Sequence, residues 1–140
     1  MTLPPIVPAA APITAPVTAL YAALFALLLV ILMPAVIKLR RSLRIGLGDG
    51  GNRDLQQAIR AHGNAVECVP MFLVMLALFE LNHGSVMLLH LFGAAFLAVR
   101  VLHAWGLYSS SGESTGRVAG TAGTIGILIT LAIANLFQLF

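Results

Sequence analysis

Charge is scarce in this sequence. Charged residues make up 9% of its 140 positions and none occurs before Lys38, whereas a soluble domain carries about 25%. A secretory leader needs basic residues ahead of its apolar core. The Pro- and Ala-rich start has none, so the first long apolar stretch is expected to remain as an uncleaved span behind a short irregular tail. Cysteine occurs once, at Cys68, which excludes an intrachain disulfide and a thiolate metal cluster. Cys68 is expected as a small buried apolar residue. No Walker motif is present. The string Gly46-Leu47-Gly48-Asp49-Gly50-Gly51 fits G-x-G-x-x-G by letter, but it lacks the preceding strand and βαβ unit that a dinucleotide site requires. It reads instead as a flexible turn, with Asn52 or Asp54 capping the helix that follows. The serines at 109–111 and 114 lie far from any His/Asp pair, so no hydrolytic triad is expected. His62 and His103 lack further ligands at metal spacing, and no metal site is predicted.

Apolar residues dominate. They form 59% of the chain, with a mean hydropathy of +0.97, the composition of an integral membrane protein. Residues 17–37 carry no charge and are long enough to cross a hydrocarbon core. Further spans are predicted at about 58–81, 86–107 and 118–137, joined by short links. The expectation is an all-α fold: a single domain over 1–140, built as an up-down four-helix bundle in the membrane. Six of the eight basic residues (Lys38, Arg40, Arg41, Arg44, Arg53, Arg60) fall between positions 38 and 60. Beside a span, such a cluster reflects topology rather than nucleic-acid binding. The basic loops are therefore predicted to be cytoplasmic, with both termini outside. Gly116-x-x-x-Gly120 and Ala119-x-x-x-Gly123 provide small-residue spacings for close helix approach, including between subunits.

A few polar residues stand inside these spans. Arg60, Asn64 and Glu67 are spaced i, i+4, i+7 and share a helical face. Ionisable groups at such depth cost about 2.5–3.5 kcal/mol on insertion scales, and they usually face a bundle interior or a wet cavity. Arg100 and His103 are spaced i, i+3 on the third span, and Glu67 is the natural partner for Arg100. Glu80 and His83 flank the tight turn 82–85 and are expected to be solvated. His90 is expected near the opposite interface, while Trp105 and Tyr108 would belong to an aromatic belt at the cytoplasmic end. Lys38, Arg60, Asn64 and Arg117 lie toward one membrane side, and together they would suit a small, multiply charged anion.

Arg60-Ala-His-Gly-Asn64-x-x-Glu67, followed by Pro70 and Phe72, resembles the signature of the MAPEG family, the membrane-associated proteins of eicosanoid and glutathione metabolism. Gly48-Asp-Gly-Gly-Asn52, Arg100-x-x-His103 and Arg117 resemble family positions too, with the look of a bacterial member. The resemblance implies a homotrimer in the bacterial inner membrane, with glutathione held as cosubstrate in clefts between subunits. Lys38, Arg60, Asn64 and Glu67 would bind it, helped by Arg100 and His103. Arg117 would be catalytic, stabilising the glutathione thiolate for attack on a lipophilic electrophile or lipid hydroperoxide arriving from the bilayer. Gly63 replaces a basic residue of several animal members, and Leu107 and Thr121 replace tyrosines of some eicosanoid enzymes, which points away from eicosanoid chemistry. Two other functions fit the bare bundle: a non-catalytic lipid-binding scaffold, and a small transporter. A transporter would more often show paired repeats or broken helices.

Overall fold

The computed structural model describes residues 14–109 and 114–140, so the irregular tail predicted at the N-terminus lies outside the described residues. Four helices account for nearly everything described: α1 (Pro16–Leu43), α2 (Arg53–Leu81), α3 (Val86–Ser109) and α4 (Thr115–Phe137). Each is long and apolar enough to cross a membrane. α2 begins at Arg53 because the Asn52 side chain accepts from the Leu55 N–H at 3.0 Å. α1 runs on through Lys38, Arg40 and Arg41 to a left-handed Arg44. Pro34 and Pro70 sit exposed inside continuous helices.

α2 and α3 form the middle of the bundle. α1 packs on both and α4 packs on both, while α1 and α4 do not meet among the described residues. Only 17% of the apolar window of α1 or α4 is buried, against 28% in α2 and 33% in α3. The outer pair therefore turns long apolar faces outward, as a helix in lipid can.

The core changes character along the bundle axis. Toward the α2–α3 turn it is aromatic. Phe72 and Phe96 stack with centroids 3.9 Å apart, and Phe25 meets both edge-on at 5.7 and 5.6 Å. Leu76, Phe79, Leu89 and Leu131 continue this cluster. Toward the other end the buried set is smaller: Ala61, Ala65 and Ala104 with Leu32 and Leu107. Small side chains leave space there, at the level of the Arg60 motif.

Glycines bring α4 against α3 of the same chain. A Cβ on Gly106 would lie 2.5 Å from the Arg117 nitrogen, and one on Gly120 would lie 2.6 Å from the His103 Cβ. The Gly116-x-x-x-Gly120 pair is thus used within the chain, between α3 and α4. Ser114 locks this crossing. Its hydroxyl donates to the Gly106 carbonyl at 2.8 Å and accepts from the Arg117 N–H at 3.3 Å.

Glu80 departs from the expectation that it is solvated. Its carboxylate accepts from the Val17 and Thr18 N–H groups at 2.8 and 2.7 Å. α1 has no cap of its own, since Ala15 occupies its N-cap. The orphan donors of its first turn are satisfied by a side chain from the end of α2, and the negative charge also suits the positive end of the helix dipole. Replacing Glu80 with Ala is expected to lower stability by about 1–2 kcal/mol. The loss should be read from denaturation in detergent, with cleavage of the first turn of α1 by protease appearing before global unfolding.

Candidate functional site

The polar residues of α2, α3 and α4 converge where the core thins. Arg100 is 3% exposed. It lies nine residues inside the end of α3, about 14 Å along the axis at 1.5 Å per residue. Its guanidinium donates to the Asn64 Oδ1, the Gly120 carbonyl at 2.9 Å and the Thr124 hydroxyl. The Thr124 hydroxyl in turn donates to the Gly120 carbonyl at 2.7 Å. The Arg100 carbon Cζ also stands 5.7 Å from the centre of the Phe96 ring, within reach of a cation–π contact. Arg100 therefore joins α3 to both α2 and α4, and links the aromatic core to the polar end.

Glu67 is not the partner of Arg100. It faces outward and lies 3.8 Å from Arg60, with both side chains 58% exposed. The physical reason is rotation along α2. Asn64 points inward with the buried Ala61 and Ala65, while Arg60, Val66 and Glu67 occupy the open face. Asn64 is neutral and short enough to meet a buried guanidinium without bringing a second charge into the bundle, which would add its own desolvation cost.

A small cleft opens beside this network. Arg60, Asn64, His103, Leu107 and Arg117 line a volume of about 100 Å³. His103 and Arg117 also border an adjoining volume of about 410 Å³ whose other walls are Val118, Thr121, Ala122 and Ile125 of α4. Two arginines, an imidazole and an amide thus meet an apolar wall along one helix. The arrangement can hold an anion at one end and an apolar group at the other. The remaining residues singled out in the sequence lie apart from this lining. Lys38 is exposed on α1 and Glu67 is on the rim, while Arg100 sits behind Asn64. Gly63 faces open space.

The sequence profile of the MAPEG family matches residues 18–137. The chain belongs to the MAPEG family. It is 38% identical over 104 residues to the inner membrane protein YecN of Escherichia coli K12, covering 74% of this chain and 78% of the relative. The YecN of an E. coli O6:H1 strain matches to the same extent. With four helices able to span, this MAPEG protein is a multi-pass membrane protein.

Sequence reasoning did not find Thr124 as an acceptor for Arg100 or Ser114 as the residue that fixes α4, and it read Gly120 only as a close-packing position. The signal was available: Gly120 and Thr124 are spaced i, i+4, and Ser114 stands at a helix N-cap position. Thr124→Val keeps the shape of the side chain but removes an acceptor from a buried guanidinium. It is expected to cost about 1.5–3 kcal/mol in detergent denaturation. Thr121→Val, on the exposed face of the same helix, should stay within about 0.5 kcal/mol.

Proposed function

We propose that this MAPEG protein is a glutathione-dependent transferase or peroxidase for lipophilic electrophiles or lipid hydroperoxides in the bacterial inner membrane. The observation that carries the reading is the cationic cleft at the α2–α4 seam, open beside an apolar wall. Arg60 and the Asn64 amide suit the carboxylates and peptide groups of glutathione. Glu67 at the rim suits its ammonium. Arg117 and His103, at the boundary between the two volumes, stand where a thiol would meet an apolar co-substrate.

A cation beside a thiol favours the thiolate. The thiolate then displaces a leaving group from an electrophilic carbon. With a hydroperoxide it takes the terminal oxygen as the O–O bond breaks, the alkoxide collects a proton, and a second glutathione releases water to give the disulfide. Positioning and electrostatics suffice, with no protein nucleophile.

The polar volume of about 100 Å³ falls short of the roughly 300 Å³ at which ligand pockets begin. The Arg60–Glu67 face is also too polar to meet lipid. Both features support a neighbouring copy that completes the cleft, in the homotrimer that the family resemblance implies.

Glutathione titrated calorimetrically into the purified protein should bind, and Arg60→Ala should weaken binding by at least tenfold. Arg117→Ala should lower conjugation of an aryl halide by about 10²-fold or more while assembly persists. Wild-type turnover in Arg117→Ala would remove that residue from the chemistry. Lipid binding without any glutathione heat would favour the scaffold role instead.

A further inference from the structure

Arg41, Arg44 and Arg53 surround the connection between α1 and α2, on the exposed surface. Topology asks only that positive charge lie beside a span. It asks nothing of the loop's shape, yet this loop is built. The Arg40 guanidinium donates to the carbonyls of Ile45, Gly46 and Gly48 at 3.4, 3.1 and 3.0 Å. The Ile45 N–H donates to the Arg40 carbonyl at 3.1 Å. The Asp49 carboxylate accepts from the Gly51 N–H at 2.9 Å. The segment expected to be a flexible turn is therefore braced against the last turn of α1.

Two residues stand out from this brace. Arg44, Gly48, Gly50 and Gly51 all have positive φ, and Arg44 alone among these four carries a side chain there, at φ 55. Glycine is the usual residue at that helix-ending position because it has no Cβ to crowd. An arginine in this left-handed conformation points to a use for its charge. Leu47, at the tip, is 92% exposed, and both flanking glycines have empty space around them. The uncharged run 17–37 covers about 31 Å at 1.5 Å per residue, close to a hydrocarbon thickness of about 30 Å. The six residues from Lys38 to Leu43 then add about 9 Å, enough to pass through the roughly 5–7 Å of headgroup region on one side. The loop doubles back from there, with the Ile45, Gly46 and Gly48 carbonyls held by Arg40, which would keep its tip near the headgroup region.

We propose that this loop is a binding site for an acidic phospholipid at the membrane surface. Arg41 and Arg44 take the phosphate, Arg53 adds to the field beside the exposed Asp54, and Leu47 inserts among the upper acyl carbons. The site is separate from the α2–α4 cleft and does not depend on glutathione.

Lipid titrations of delipidated protein followed by native mass spectrometry test it, with phosphatidylglycerol against phosphatidylcholine. The wild type should prefer phosphatidylglycerol by tenfold or more. Arg44→Gly is the informative variant, because it relieves the backbone while removing the charge. It should unfold at the same or a higher temperature in phosphatidylcholine nanodiscs, yet bind phosphatidylglycerol about fivefold more weakly. Arg41→Gln should show a similar loss. Leu47→Ser should weaken retention of both lipids while keeping the preference between them. Unchanged phosphatidylglycerol affinity in Arg41→Gln and Arg44→Gly would overturn the proposal. So would full displacement of the lipid by millimolar inorganic phosphate, which would mark a free-anion site.

Discussion

The buried guanidinium of Arg100 governs the polar half of this bundle. A cation within a membrane span is tolerated only where the protein supplies its hydrogen bonds. Arg100 obtains them from Asn64 on α2 and from Gly120 and Thr124 on α4. Each acceptor is neutral, so no second ion has to be desolvated. Reaching a backbone carbonyl on α4 demands that α3 and α4 cross closely. The glycines at 106, 116 and 120 and the Ser114 hydroxyl make that crossing possible. Asn64 has its oxygen committed to Arg100, so what it can still offer a ligand is its amide N–H donors.

The rest of the molecule follows from dividing the bundle by side-chain size. The aromatic half is filled by interlocked rings. The alanine half admits polar groups. The stacked Phe72–Phe96 pair joins the halves, because Arg100 stands near the Phe96 ring. Glu80 performs a corresponding task at the far end by capping α1 from α2. Polar side chains within the spans therefore act chiefly as ties between helices, with Arg60 and Glu67 left on an open face. That open polar face is the feature a lone protomer in lipid leaves unexplained, and it is the ground for proposing a neighbouring copy.

Much of this was legible from residue order. Four apolar runs separated by short polar links give four helices, and a bilayer-length run admits few other structures. The Arg60-x-x-x-Asn64 spacing marked two residues of the candidate cleft, since i, i+4 residues are neighbours on a helix, while Glu67 one turn on falls at its rim. The Asn52 cap could be read the same way. These features are local, and local geometry is fixed by the chain alone.

Pairing between helices was not legible. Opposite charge suggested Glu67 for Arg100, but rotation of α2 turns Glu67 outward and presents Asn64. Charge suggested a solvated Glu80, but the uncapped start of α1 lies within its reach. The small-residue spacings of α4 indicated close packing without naming the partner, which proved to be α3 of the same chain. Sequence by itself determined which segments are helical, which faces are polar and where charge is concentrated, because these depend on neighbours a few positions apart. Only the tertiary structure decided which polar groups meet. Helix rotation and crossing are set by the packing of the whole core, and they select among acceptors that residue order leaves equivalent.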